Sequence, residues 1–233
     1  LNNILSYTPN KDNLIGSHNF YPQRYTGLEY NYFIKCSERF KKQGLRTSAF
    51  INSKSATFGP WSINDGLCTL EMHRDLGITV QAKHLWATGL IDDVVIGNAY
   101  ASDNELKALG ELDTYQLELE IEFFDGVSEI EKHILLNEKH IRRGDISEYM
   151  IRSTEVRKKH VNSDISKRDY DTQNVGDVVI GNNNFGKYKG ETQIVIKEMP
   201  LDERKNRVAK VVSEEIFLLG FIGSWINFKF KQK

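Results

Sequence analysis

The chain has 233 residues, of which 39% are hydrophobic and 27% are charged, and its formal net charge at pH 7 is −1. This composition is typical of a globular protein with one large or two modest domains, and the near-neutral charge argues against nucleic acid or a membrane surface as the partner. No apolar run approaches the roughly 20 residues that span a bilayer. Cys36 and Cys68 lack the spacing of a metal site, so we expect two free buried thiols in a cytoplasmic protein.

The first half of the chain alternates short apolar runs with helical patterns. Runs at 14–20, 46–53 and 92–98 are predicted strands, and each is followed by a helical pattern. The last of these helices should begin after Ser102, because Glu105 completes a capping box with it. Strand–helix alternation predicts parallel strands joined by right-handed crossovers, and the continuous apolar runs predict strands buried on both faces.

Polar residues stand where the three predicted strands end. They are Asn19 after the first, Asn52 after the second and Asn98 after the third. Because the strands are predicted to be parallel and adjacent, these residues should share the carboxyl rim of the sheet, where active sites collect in α/β proteins.

The pattern changes near Asp113. Leu117, Leu119 and Ile121 alternate with glutamates, which predicts a half-exposed strand of an antiparallel sheet. A helix over 128–140 and further strands should follow, with a hairpin at GNNNFGKYKG and a final helix at 202–222. We therefore predict an α/β unit over 1–112 followed by a barrel-like α+β unit over 113–233.

One short sequence occurs twice, as DDVVIGNAY from Asp92 and as GDVVIGNNNF from Gly176. A true repeat should extend its similarity into the flanks, and these flanks differ. We interpret the copies as two unrelated strands that share a favourable local sequence.

Several separated motifs carry a resemblance to a known family. They are HNFYPQRYTGL, GPWSINDGLCTLEMHR, ATGLIDDVVIGNAYAS, IRRGDISEYMIRS and FGKYKGETQIVIKEMPLDER. They resemble the bacterial 6-phospho-N-acetylmuramidases, formerly described as outer surface proteins, which are cytoplasmic glycosidases that split 6-phospho-MurNAc–GlcNAc during recovery of cell-wall sugars. The resemblance implies a TIM barrel followed by a cyclophilin-like β-barrel domain. On that basis the chain holds the last three βα units of the barrel, over 1–112, and the complete second domain, over 113–233.

The resemblance also implies partners and cofactors. The expected partner is a phosphorylated amino-sugar disaccharide, with neither a nucleic acid nor a membrane, and no cofactor is expected. A homo-oligomer is left open.

Glycoside hydrolysis usually needs two carboxyl groups, and the loop after the second strand offers Asp65 and Glu71 as catalytic candidates. The family tends to have glutamate where this chain has Asp65. The alternative for Asp65 is a turn residue in Asn-Asp-Gly, and the alternative for Glu71 is a solvent-facing residue in the first turn of a helix.

Candidate substrate-binding residues occur in both halves of the chain. His18 and Asn19 end the first strand, and a loop cap is their alternative role. The pair at positions 73 and 74 suits a sugar phosphate, unless it is an exposed helix pair. Arg143, Arg152 and Ser153 match the family pattern for a phosphate site, with a solvated charged face as the alternative. The complete candidate set is His18, Asn19, Asn98, His73, Arg74, Arg143, Arg152 and Ser153.

Two functions of different classes follow. The first is a phosphosugar glycosidase, or the C-terminal part of one. The alternative is a non-catalytic fragment or remnant that binds a sugar phosphate or a partner protein without turnover.

Overall fold

The computed structural model describes residues 1–233 and divides into two units, Leu1–Leu112 (unit 1) and Asp113–Lys233 (unit 2). The strands of unit 1 are β1 (Ile15–Ser17), β2 (Arg46–Ile51) and β3 (Asp93–Ile96). Its helices are α1 (Asn2–Leu5), α2 (Tyr30–Lys41), α3 (Ile78–Ala87) and α4 (Asp103–Gly110). Short 3₁₀ segments span Lys11–Asn13 and Glu71–His73.

The three strands of unit 1 form one sheet in the order β1-β2-β3, with both pairs parallel. Gly16 stands opposite Thr47, and Ala49 stands opposite Val94. The prediction of adjacent parallel strands is therefore confirmed. The strands are shorter than the apolar runs that predicted them, because the last residues of each run turn into the rim loops.

Helices α2 and α3 pack on the same face of this sheet. The hydrophobic core of unit 1 lies between these helices and the sheet. Its buried members are Phe33, Ala49, Ile51, Leu70, Ile78, Ala82, Leu85 and Ile91. The opposite face is open: Ile15 is 54% exposed and Val95 is 38% exposed. The expectation of strands buried on both faces is wrong for unit 1, since sequential right-handed crossovers place the helices on a single side.

Local sequence accounts for where α2 and α4 begin. The Glu29 carboxylate accepts hydrogen bonds from Asn31 N and Tyr32 N, so α2 begins directly after this cap, at Tyr30. The predicted capping box of α4 is confirmed, with Ser102 and Glu105 each bonded to the other's backbone N–H.

The strands of unit 2 are β4 (Leu117–Phe123), β5 (His140–Ile141), β6 (Met150–Ser153), β7 (Asp177–Gly181), β8 (Thr192–Val195), β9 (Lys205–Val211) and β10 (Asn227–Gln232). The helix α5 spans Glu129–Asn137, and 3₁₀ segments span Val156–Lys158, Asn183–Tyr188 and Ser213–Phe221. No helix of the protein combines the length and the apolar character needed to cross a bilayer.

These seven strands form one sheet in the order β5-β10-β4-β9-β7-β8-β6. The sheet is mixed, because β4 pairs antiparallel with β9 but parallel with β10, and this corrects the expected antiparallel sheet. Arg143 N donates to Arg152 O at 2.9 Å, which joins the chain after β5 to edge strand β6. The sheet is thus nearly closed and barrel-like.

The predicted final helix at 202–222 is wrong. Residues Lys205–Val211 form β9 instead, and a 3₁₀ segment follows. β9 lies between β4 and β7, with Val211 opposite Ile121 and Ala209 opposite Val178. The segment contains good helix formers, but two neighbouring strands satisfy its backbone groups and bury its valines, and this tertiary pairing overrides local propensity.

The GNNNFGKYKG segment connects the antiparallel strands β7 and β8, as the predicted hairpin requires. Positive φ occurs at Gly186 (55°) and Gly190 (78°), where a side chain would be strained. The hairpin is wider than a tight turn, because the 3₁₀ segment Asn183–Tyr188 lies within it.

Both cysteines are free, but only Cys68 is buried, and Cys36 is half-buried. The expectation of a buried thiol is therefore confirmed for Cys68 and wrong for Cys36. Burial raises the pKa of Cys68 to about 11, so that thiol is protonated at neutral pH and is a poor nucleophile.

Candidate functional site

The polar ends of β1, β2 and β3 lie along one rim of the unit 1 sheet, as predicted. Asn52 and Asn98 are each 5% exposed. Asn98 accepts a hydrogen bond from Ser53 N at 2.9 Å and donates to Ser53 O at 2.8 Å, while Asn52 Oδ1 accepts from Leu67 N at 2.9 Å. These two amides therefore hold the rim loops in place, and Asn19 is the exposed member of the three.

His18 points into the interior of unit 1. It is 7% exposed, its Nε2 lies 2.8 Å from Ser37 Oγ on α2, and its ring packs against Phe33. Burial lowers the pKa of His18 to about 4, so the ring is neutral at pH 7. These contacts connect β1 to α2.

Glu71 is fixed by its neighbours on several sides. Its carboxylate accepts hydrogen bonds from Tyr25 N and Gly27 N, both at 2.8 Å, and from the Arg74 guanidinium at 2.7 and 2.6 Å. The hydrogen bond from Arg74 is the largest cause that lowers the pKa of Glu71 to about 2. A carboxyl group with this pKa is ionised at neutral pH and is unsuited to act as a general acid.

Arg74 connects Glu71 to the loop segments at Tyr21 and Gly66. It is 3% exposed and donates to Tyr21 O and Gly66 O, each at 3.0 Å. Tyr25 has a left-handed backbone (φ 69°), which its hydrogen bond to Glu71 holds in place. Glu71 and Arg74 together thus fix the loops on both sides of the rim.

Asp65 lies on the exposed surface of the same rim. Its Oδ2 accepts a hydrogen bond from Arg24 N at 3.1 Å, and its own N–H donates to Pro22 O at 2.9 Å. Its Oδ1 takes part in neither contact. Of the two catalytic candidates, Asp65 is the one whose carboxylate faces solvent.

His73 and His84 form a buried pair. His73 Nε2 lies 2.7 Å from His84 Nδ1, and the two residues are 0% and 1% exposed. Burial lowers the pKa of His73 well below its usual value and that of His84 to about 4. Both rings are neutral, one donating and the other accepting, so the exposed helix pair considered for positions 73 and 74 does not occur.

Glu105 is a rim residue that the sequence identified only as a helix cap. Its carboxylate accepts from Ser53 Oγ at 2.7 Å, from Lys54 N at 3.0 Å and from Ser55 Oγ. Partial burial opposes its ionisation, but the hydrogen bonds from Ser55 and Ser53 outweigh that effect and lower the pKa of Glu105 to about 2. It connects the loop after β2 to α4.

Exposed aromatic side chains surround the rim, and sequence reasoning missed them. They are Tyr25 (85% exposed), Phe58 (65%), Trp61 (62%) and Tyr100 (83%). The rings of Phe58 and Tyr100 are 6.3 Å apart, and Trp61 lines a small cleft with Gln23, Thr26 and Ser62. The sequence signal for Trp61 was the loop GPWSIND. A tryptophan there belongs to no periodic apolar pattern, which predicts a surface position.

The arginines of unit 2 differ in whether their carboxylate partners are buried or exposed. Arg152 donates to Glu191 at 2.8 and 3.3 Å, and Arg157 donates to the same carboxylate at 2.9 Å. The Glu191 side chain is 0% exposed. Arg143 is more exposed, at 39% for the side chain, and pairs with the exposed Asp145.

Ser153 is fully buried, and its Oγ lies 3.2 Å from His140 Nδ1 across the two edge strands. It therefore contacts the interior of unit 2. No group of three or more His, Cys, Asp or Glu side chains that could hold a metal ion occurs in the chain.

Comparisons with known proteins bear on both units. The family described as "6-phospho-N-acetylmuramidase, N-terminal" matches residues 1–111, and "6-phospho-N-acetylmuramidase, C-terminal" matches residues 117–231. Comparison with curated proteins gives no match.

Two crystal structures resemble the chain. One, from B. cereus and described as an uncharacterized protein, is 62% identical with a TM-score of 0.96, and the match covers 99% of this chain and 66% of that one. The other, described as a conserved protein from Enterococcus faecalis with an unknown function, is 27% identical with a TM-score of 0.73. That match covers 100% of this chain and 62% of that one, so the chain spans less than two thirds of either relative. The two family matches together account for both units, and the chain belongs to the 6-phospho-N-acetylmuramidase family.

Proposed function

We propose that this chain is a glycosidase, or the C-terminal part of one, that hydrolyses 6-phospho-MurNAc–GlcNAc in the cytoplasm during recovery of cell-wall sugars. The observation that carries the proposal is the family match over both units, residues 1–111 and 117–231. The rim of unit 1 supports it, because a solvent-facing carboxylate lies among exposed aromatic rings there.

The finer fold is part of the same proposal. Three sequential parallel strands with their helices on one face have the arrangement of one arc of a (β/α)₈ barrel. We assign unit 1 to the last three units of such a barrel and unit 2 to a cyclophilin-like domain.

We assign the reacting role to Asp65 and a positioning role to Glu71. Asp65 is exposed and keeps one oxygen outside its hydrogen bonds, whereas Glu71 is held ionised by Arg74 and two backbone amides. A glycosidase usually needs a second carboxyl group as acid, base or nucleophile. Glu71 is a poor acid because its pKa is about 2, so in this proposal it shapes the loop that presents Asp65.

The 6-phosphate needs a guanidinium that is free to rearrange. Arg143 fits this role, because its partner Asp145 is itself 62% exposed and the pair is readily broken. Arg152 instead holds the buried Glu191, and Ser153 and His73 are enclosed in the interior. Asn19, at the rim, is the polar side chain best placed for a sugar hydroxyl.

The proposal is tested by measuring GlcNAc release from 6-phospho-MurNAc–GlcNAc by full-length protein. Asp65→Asn should lower kcat about 100-fold or more, as for loss of an acid–base group, with little change in KM. Asp12→Asn, an exposed aspartate outside the rim, is the matched control. A protein that binds the disaccharide without cleaving it would support the non-catalytic alternative.

Arg143→Ala should weaken use of the phosphorylated disaccharide by about 1.5–3 kcal/mol, as for a lost charge-assisted hydrogen bond. An unphosphorylated analogue should be affected much less. Equal effects on the two substrates would remove the phosphate role from Arg143.

A further inference from the structure

Trp225, in unit 2, combines a strained backbone with a side chain that lies mostly in solvent. Its backbone is left-handed (φ 60°), a conformation that suits glycine and is unfavourable for a bulky residue. Trp225 is also 64% exposed, so most of its indole gains nothing from the hydrophobic effect. Strain that burial does not offset is characteristic of functional sites. We therefore expect Trp225 to have a role other than packing the core.

The indole of Trp225 lies directly against Gly144. A Cβ at position 144 would overlap the ring, so this close approach requires glycine. Backbone contacts join the same two segments: Trp225 N donates to Arg142 O, and Arg142 N donates to Ile226 O, both at 3.0 Å. Ser224 Oγ donates to Gly144 O, also at 3.0 Å. The loop after β5 is thus held against the loop before β10.

Arg143 lies inside this held loop, and its backbone is anchored on a second side as well. Its N–H donates to Arg152 O on β6 at 2.9 Å. The preceding side chain, Arg142, is directed into unit 2, since that residue is 7% exposed and its Nη1 donates to Ile222 O at 2.6 Å. The Arg143 side chain is 39% exposed and reaches solvent. The loop therefore presents one guanidinium outward from a fixed backbone.

On the other side of Gly144 the same loop has less support. The Asp145 side chain is 62% exposed. The next backbone hydrogen bond to another segment is at Tyr149 O, which accepts from the residue after β8 at 2.9 Å. The contact between Trp225 and Gly144 thus lies where the held part of the loop ends, directly beside Arg143. Without the ring, local opening of this loop would extend to Arg143.

We propose that Trp225 is a positioning residue for Arg143: its indole, seated on Gly144, holds the loop so that the Arg143 guanidinium meets a phosphate group without first being ordered. The inference rests on the proposed function, which assigns the 6-phosphate to Arg143. Ordering a loop and a side chain on binding opposes affinity, and a loop that is already held avoids this cost. Trp225 therefore determines specificity for the phosphorylated sugar through Arg143 and not through a contact of its own.

Trp225→Gly tests the proposal, because glycine keeps the left-handed backbone and removes only the ring. In full-length protein it should raise KM for 6-phospho-MurNAc–GlcNAc about 3–10-fold and leave kcat unchanged. The KM of the unphosphorylated disaccharide should stay the same. The midpoint of thermal unfolding should change by less than about 4 °C, since the lost ring is mostly in solvent.

Two further variants and a control separate the ring from its contact. Trp225→Phe keeps a flat ring over Gly144 and should retain most of the selectivity for the phosphorylated sugar. Gly144→Ala displaces a ring that is still present, and it should reproduce the loss seen with Trp225→Gly. Tyr115→Ala, which removes a 99% exposed ring elsewhere in unit 2, should leave both KM values unchanged.

Hydrogen exchange of the Arg143 amide is a second readout, and it needs no substrate. This N–H is bonded to Arg152 O, so it should exchange at least about fivefold faster in Trp225→Gly, while the amides of β7 stay unchanged. Unchanged exchange at Arg143 would overturn the inference. Equal weakening of both disaccharides would also overturn it, because the ring would then contact the sugar directly.

The inference and the proposed function fail in different ways. A selective effect of Arg143→Ala together with a silent Trp225→Gly removes the inference alone. If the full-length protein binds both disaccharides and hydrolyses neither, a selective rise in Kd for the phosphorylated one in Trp225→Gly removes only the proposed function.

Discussion

Glu71 receives four hydrogen bonds on one carboxylate, two from the backbone of Tyr25 and Gly27 and two from Arg74. Its sequence neighbours suggested either a catalytic group or a solvent-facing helix residue. The structure shows a residue that ties two rim loops together, with its partner guanidinium 1% exposed. At the scale of single residues, the contacts of a side chain thus decide which chemistry it can perform.

Glu71→Gln should destabilise the protein by about 3 kcal/mol at pH 7, because it leaves the Arg74 charge buried without its counter-ion. The folded-state pKa of about 2 lies below the ordinary value of 4.5, so the ion pair stabilises the fold above about pH 4.5. That stabilisation should disappear as the pH falls towards 2. Urea unfolding of both proteins across this range measures the difference.

Glu129→Gln is the matched control, since Glu129 is 89% exposed and its pair with Lys132 lies on the surface. It should change stability by less than about 1 kcal/mol. A difference between wild type and Glu71→Gln that stays constant from pH 7 to pH 2.5 would contradict the ion-pair explanation.

Trp61 is the exposed residue of the rim with the largest flat apolar surface. Trp61→Ala should raise KM for the disaccharide about 3–10-fold, because aromatic stacking contributes about 0.5–1.5 kcal/mol beyond burial. Stability should change little, since the side chain is 62% exposed. Steady-state kinetics test this, with Trp61→Phe expected to restore most of the affinity.

Tyr115→Ala is the control for loss of an exposed aromatic ring, as Tyr115 is 99% exposed outside the rim. If Trp61→Ala lowered kcat and left KM unchanged, the stacking role would be wrong.

At the scale of elements, the edge strand β6 is joined to its surroundings by charge as well as by backbone pairing. Arg152 stands opposite Gln193 on β8, and both residues contact Glu191. Arg157, from the 3₁₀ segment after β6, reaches the same carboxylate. One buried glutamate therefore connects three segments of unit 2.

Glu191→Gln should destabilise the protein by about 2–4 kcal/mol, because two partly buried arginines lose their counter-charge. Thermal or urea unfolding measures this. Glu148→Gln, which removes a surface pair with Lys197, should cost less than about 1 kcal/mol. Similar effects of the two substitutions would show that Glu191 is not the connection between these segments.

At the scale of the whole molecule, the two units differ in how their sheets are completed. The sheet of unit 1 has helices on one face only, whereas the sheet of unit 2 is nearly closed around residues such as Leu119, Ile151 and Phe228, all 0% exposed. A sheet that nearly closes on itself buries its own apolar face.

Residues 113–233 should therefore fold alone and unfold in one cooperative thermal transition. Circular dichroism or calorimetry of this fragment tests the prediction. Ile121→Asp, which places a charge at a 0% exposed position, is the control that should abolish the transition. A broad transition in the unsubstituted fragment would contradict an independent core in unit 2.

The sequence determined those features that depend on neighbouring residues. Capping boxes, strand periods and glycine positions act over a few residues, so β4, α4 and the parallel strands of unit 1 could be predicted. The family resemblance also came from sequence. The final helix was predicted wrongly because its true partners, β4 and β7, are distant in the chain.

Tertiary structure decided burial and side-chain partners. The same letters, DVVI, form β3 in a parallel sheet and most of β7 in a mixed one. Val95 is 38% exposed in the first copy, while Val179 is 0% exposed in the second. Likewise, nothing near Glu191 in the sequence identifies Arg152 as its partner. Local sequence fixes backbone conformation through sterics and short-range hydrogen bonds, but burial and ion pairing depend on which distant surfaces come into contact.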